Sequence, residues 1–193
     1  INSYYYVMTF FKKCPKVFIF RAFFEKSHDI IIRVNSEFKT QKKAKKQAEI
    51  YAKIYGQMPN FLKEKARSLT IHKGNFGWLG GNEDVIIYTN LSRAHSEEAM
   101  FHELAHVSLD FQFDGSVNEN EWRNAILQDK YYITRYAYDY FFQEDIAETT
   151  LWWFATKCKP NTLSKKNYNK VIKHLPNRLK YLDSHDYPNI SND

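Results

Sequence analysis

Two histidines stand four residues apart in His102-Glu103-Leu104-Ala105-His106, and a glutamate directly follows the first. On a helix, residues four apart lie on one face, so both imidazoles can turn toward a single ion. Imidazole nitrogen suits zinc, and a zinc ion lowers the pKa of a water bound to it toward about 7. A carboxylate beside the first ligand can take that water's proton, leaving a nucleophile for a polarised carbonyl. The pattern therefore points to metal-assisted hydrolysis, with His102 and His106 as ligands and Glu103 as general base. At this chain's His and Glu frequencies the pattern arises by accident in roughly one or two chains per hundred, so its surroundings have to decide.

The surroundings favour the chemistry. Ser96 reads as a helix N-cap with Glu97 and Glu98 in the first turn, which predicts a helix from Glu97 to about Phe111. Met100, Phe101, Leu104, Ala105 and Leu109 give that helix an apolar face to pack, away from the two histidines. A hydrolytic site also needs a third protein ligand and an open position. The candidate acids downstream are Asp110, Asp114, Glu144, Asp145 and Glu148. Asp110 continues the histidine face one turn further, which suits orienting an imidazole better than joining the ligands. Glu144 and Glu148 are four apart on another predicted helix, and either could complete the set while the other braces a histidine ring.

The elements that must carry these groups can be read along the chain. Val17 to Phe20 and Ile30 to Val34 predict two strands joined around Glu25 to Asp29. Ala44, Ala48, Tyr51, Ala52 and Tyr55 predict one face of a helix from Thr40, ended by Gly56. Ser68 to His72 and Asp84 to Thr89 read as strands, and the glycines at 77, 80 and 81 read as a loop between them. Helices are expected near Glu121 to Asp129, from Gln143 to Thr156 before Pro160, and from Ser164 to Pro176. Strands first and helices after predict an α+β fold. Tyr4-Tyr5-Tyr6 reads as a buried or paired edge strand. His72, His95 and His174 read as surface or structural histidines rather than ligands, and Trp152 and Trp153 as core.

The motif, followed by Tyr136-Ala137 and then Glu144-Asp145-Ile146-Ala147-Glu148, resembles the gluzincin peptidases. The resemblance is to the branch of the anthrax lethal factor catalytic domain and the Pro-Pro endopeptidases. It implies a zincin-like metalloprotease fold: a small mixed sheet, an active-site helix and C-terminal helices. It also implies Zn2+ as cofactor, a peptide or protein substrate, Glu144 as third ligand and Glu148 as supporting acid. Tyr136 would steady the oxyanion, although Tyr138 and Tyr140 lie close by. The strand Asp84 to Thr89 would be the sheet edge that pairs with an extended peptide. Gly77 to Asn82, Tyr88-Thr89, Ser108-Leu109-Asp110, Tyr136-Ala137 and Glu144-Asp145 are also similar to a group of secreted bacterial metallopeptidases, over about Val34 to Tyr181. The implied organisation is a β-rich segment over 1–33 that joins the sheet, a catalytic domain over 34–183 and a loose polar tail over 184–193.

Composition narrows the alternatives. The chain has 193 residues, 44% hydrophobic and 26% charged, which suffices for a core and excludes wholesale disorder. With 6 Gly and 5 Pro it is not a low-complexity or collagen-like chain. Cys14 and Cys158 are too few for a disulfide framework, and no Cys-x-x-Cys pair supplies a thiolate zinc site. No apolar run reaches the roughly 18 residues of a membrane span. The chain begins with Ile1 and shows no signal peptide, so the secretion implied by the resemblance would require a leader already removed. The net charge of +6 is concentrated in part at Lys42, Lys43, Lys45 and Lys46 and at Lys157, Lys159, Lys165, Lys166 and Lys170. These runs fit solvated helix faces better than a nucleic-acid interface. The rival to a peptidase is a zinc-binding module that no longer cleaves, and the intact Glu103 argues against it.

Overall fold

A computed structural model describes residues 4–6, 16–25, 27–110, 117–141, 143–185 and 187. Cys14 and Asp114 lie outside them. The chain forms two compact units, Ile1–Val107 and Ser108–Asp193.

The first unit is built on a six-stranded mixed sheet. Its strands are β1 (Tyr4–Tyr6), β2 (Lys16–Ala22), β3 (Ile30–Asn35), β4 (Ser68–His72), β5 (Leu79–Gly81) and β6 (Asp84–Tyr88), in the spatial order β1-β2-β3-β4-β6-β5. β2 pairs antiparallel with β1 and β3, β4 runs parallel to β3 and β6, and β5 returns antiparallel to β6. The 1–33 segment therefore supplies β1, β2 and most of β3. A parallel step needs a crossover, and α1 (Gln41–Gly56) with the single turn α2 (Asn60–Lys63) provides it between β3 and β4. Strand alternation does the sorting: Ile30, Ile32, Val34, Leu69, Ile71, Val85 and Ile87 are buried, and Ile31, Arg33, Thr70, Asp84 and Ile86 between them are less so. On that second face Asp84 accepts hydrogen bonds from Ser68 and Thr70, each at 2.8 Å.

α1 begins as its sequence predicts, with the Thr40 hydroxyl accepting from the Lys43 N–H at 3.3 Å. Its buried face is Ala44, Ala48, Tyr51, Ile54 and Tyr55. Two expectations need correction. The Gly-rich stretch is not all loop, because Leu79–Gly81 forms β5 across a tight hairpin from β6. Asn82 and Glu83 both take positive φ (49° and 63°), the left-handed pair that a two-residue hairpin turn requires. The strand Asp84–Tyr88 consequently has partners on both sides and is not the sheet edge; β5 is.

The second unit is helical: α4 (Val117–Asp129), α5 (Arg135–Asp139), α6 (Asp145–Cys158), α7 (Lys165–His174) and α8 (Pro176–Ser184). Ser164 caps α7, its hydroxyl accepting from the Asn167 N–H at 3.2 Å. Pro176, expected only to stop that helix, also opens α8, where a first-turn proline loses no hydrogen bond. Trp153 is buried and its indole N–H donates to Asp183 at 2.8 Å, as befits a core residue. Tyr187 packs its ring on Trp153. The two units together are α+β, a small mixed sheet with several helices.

Candidate metal centre

The motif lies on α3 (Arg93–Leu109). The helix starts four residues before the expected Glu97, because Ser92, not Ser96, occupies the cap position. The Ser92 hydroxyl accepts from the His95 N–H at 3.4 Å, and its carbonyl accepts from the Ser96 N–H at 2.9 Å. Ser96 instead sits buried in the first turn, where its side chain bonds back to the Ser92 carbonyl and meets the Tyr51 hydroxyl from α1. Burial raises the pKa of that tyrosine, and the bond to Ser96 opposes the shift. The apolar face follows the sequence pattern: Met100, Phe101, Leu104, Ala105 and Leu109 are all buried.

His102 and His106 are half-buried, with their Nε2 atoms 3.0 Å apart and their rings inclined at 71°. Two nitrogens held by one tetrahedral zinc would be about 3.3 Å apart at ordinary Zn–N lengths, so little motion separates this geometry from a ligating one. The same contact has the length of a hydrogen bond between the two rings. Glu103 is buried at 9% exposure.

Glu144 directly precedes α6. Its backbone is pinned, with its N–H donating to Tyr140 at 2.9 Å and its carbonyl accepting from Glu148 at 3.0 Å, and its side chain does not cap the helix. Among the described residues, one set of His, Cys, Asp or Glu side chains is placed to hold a metal ion: His102, His106 and Glu144, whose donor atoms lie within 4.8 Å of one another. Two imidazole nitrogens and one carboxylate oxygen fit zinc chemically and leave a fourth position open. Glu148, one turn further along α6 and half-buried, is not in that set.

No protein-family model, curated protein or solved structure matches this chain.

The other predicted residues fall into different surroundings. Asp145, a candidate from its sequence position, is fully buried against Arg178 and belongs to the packing of the helical unit. Asp110 sits in the turn after α3, at a cavity of about 210 Å³ shared with Glu119, Trp122 and Arg123. Tyr136, Tyr138 and Tyr140 are all exposed on or beside α5. Tyr136 and Tyr140 pack against each other at 5.3 Å, whereas Tyr138 turns to Tyr132 and lies beneath the Arg135 guanidinium. The remaining histidines are tied into other contacts: His72 stacks on Tyr88, His174 stacks on Tyr131, and His95 meets the Ser92 hydroxyl.

One residue near the motif escapes a reading of the sequence. A Cβ built on Gly80 of β5 would stand 2.1 Å from the Glu103 carbonyl oxygen and 3.0 Å from its Cα. Only glycine lets the edge strand lie this close to the helix backbone at the motif's glutamate. Gly80→Ala is expected to force strand and helix apart and to cost about 1–3 kcal/mol, read as a fall in thermal midpoint. Gly81→Ala, with nothing within 4 Å of its added Cβ, is the control and should melt within a few degrees of wild type.

Proposed function

We propose that this chain is a zinc-dependent peptidase of zincin-like fold. The observation that carries the reading is the donor set His102, His106 and Glu144, gathered within 4.8 Å around a helix that also holds Glu103. His102 and His106 would ligate through the Nε2 atoms that already face each other, and Glu144 would supply the carboxylate. When bound, the ion supplies Lewis acidity and a water acidic enough to lose its proton near neutral pH. Glu103 would accept a proton from the attacking water on its carboxylate and return it to the departing amine. Tyr136 donates a hydrogen bond from its hydroxyl to the developing oxyanion. Glu148 and Asp110 would be the acids that orient the ligands.

A peptide substrate also fits the sheet. β5 is one of the two edge strands and touches α3 at Glu103, so an extended chain adding to that edge would run beside the proposed base. This reassigns to β5 the pairing role expected of Asp84 to Thr89. No helix among the described residues is long and apolar enough to cross a membrane.

Metal content by plasma mass spectrometry, paired with cleavage of a peptide library with and without chelator, tests the reading. Wild type is expected to carry about one equivalent of zinc and to cleave in a chelator-sensitive way. Glu144→Ala should lose the metal, and Glu148→Ala should keep it at reduced affinity, about 10- to 100-fold. Zinc lost in Glu148→Ala but not in Glu144→Ala would move the ligand by one turn. Zinc bound by a wild type that cleaves nothing would leave the interaction module, and no zinc after add-back would sink both.

A further inference from the structure

The groove between β2 and α1 is apolar to a degree that fold packing does not use. α1 presents Ala48 and Ala52 opposite Phe20 and Phe24, and the small side chains leave a cavity of about 520 Å³ with Ile32 behind it. Phe23 stands at the rim, 76% exposed. Water in this space meets ring faces and methyl groups and finds few hydrogen-bond partners, so displacing it is favourable.

The polar groups lie around the opening and are mostly cationic: Arg21, Lys45 and Lys53 against the single acid Glu49. Arg21 is engaged by Asp29, and Glu49 is approached by Lys45 at 3.8 Å. Lys53 has no ion pair among the described residues and is exposed. A volume between about 300 and 1,000 Å³, mostly apolar walls and a few polar groups at one end describe a small-molecule site.

We propose that this groove binds a small anionic amphiphile, an unbranched apolar chain ending in a carboxylate. The chain lies on Phe20, Phe24 and Ala52, and the carboxylate meets Lys53. The charge of the rim selects the headgroup and the depth of the groove selects the tail. This site is independent of the metal centre and of the reaction proposed for it.

Isothermal titration of the whole chain with decanoate, kept below its micelle concentration, tests the assignment. Saturable binding at a single site is expected. Butyrate, which keeps the headgroup and loses the tail, should bind at least ~10-fold more weakly, as should decyltrimethylammonium, which keeps the tail and reverses the charge. Ala52→Trp should abolish binding with an unchanged circular dichroism spectrum. Should that variant misfold, Lys53→Glu keeps the test alive, because it should narrow or invert the preference for decanoate over the cationic amphiphile. Equal binding of both amphiphiles, or decanoate binding untouched by both substitutions, would overturn the proposal. So would failure of decanoate to bind together with a dimer that Ala52→Trp dissociates, which would assign the groove to a second copy of the chain.

Discussion

Glu103→Gln is expected to lower peptide hydrolysis by roughly 10²- to 10⁴-fold while leaving the zinc content unchanged. The substitution keeps the shape of the side chain and removes its ability to accept and return a proton. Zinc should stay because the donor set is His102, His106 and Glu144, and Glu103 is outside it. Its backbone is fixed on one side by the packed face of α3 and on the other by Gly80, so the variant should not shift. Turnover of a cleaved library peptide and metal analysis on the same preparation read both halves. Activity within twofold of wild type would show that Glu103 is not the base. Loss of zinc along with activity would show that the variant had disturbed the ligands, and the comparison would then pass to Glu103→Asp.

What was legible in the sequence was what one element could encode by itself. The motif is compact because one helix carries both imidazoles and the Glu103 carboxylate, and the apolar face of α3 follows the same period. β3, β4 and β6 alternate buried and less buried residues along short runs of β-branched side chains, so they too could be read. β5 could not, since its Leu79-Gly80-Gly81 has the composition of a loop. Its glycine is selected by the approach of Glu103, a contact that no local pattern announces. α2 and α5 are too short to show a helical period. The start of α3 is ambiguous in the sequence because two serines precede an acidic pair, and the cap the chain uses is the one without acids in its first turn. Glu144 could be nominated from the sequence but not separated from Glu148, because that choice depends on where a distant loop ends. The three tyrosines near it remained equivalent for a similar reason: all are exposed on one short turn of chain.

Arg178→Met is expected to destabilise the protein by about 3–5 kcal/mol, the usual loss when one member of a buried ionic cluster is removed. Arg178, Asp129 and Asp145 all have fully buried side chains. The guanidinium donates through Nε to Asp129 at 3.0 Å, through Nη1 to Asp145 and through Nη2 to the Tyr131 carbonyl. Asp129 also accepts from the Asn177 and Arg178 N–H groups at 2.8 and 3.1 Å, so it fixes the first turn of α8. Methionine fills similar volume but leaves two carboxylates facing each other without a cation. Burial already pushes the Asp145 carboxyl up to about 7 despite the arginine beside it, so losing that arginine would hold it neutral. A fall in thermal midpoint of roughly 6–20 °C follows for a chain of this size. Adding Asp145→Asn to Arg178→Met should recover part of the loss, because the amide stands beside Asp129 without the proton uptake that the single variant forces on Asp145. Asp145 is the first residue of α6 and Glu144 directly precedes it, so the cluster also anchors the proposed third ligand. Zinc affinity should therefore weaken in Arg178→Met at temperatures where the variant is still folded. An unchanged midpoint would mean the cluster is solvated and carries no such load. A lowered midpoint with wild-type zinc affinity would separate the stability of the helical unit from the placement of Glu144.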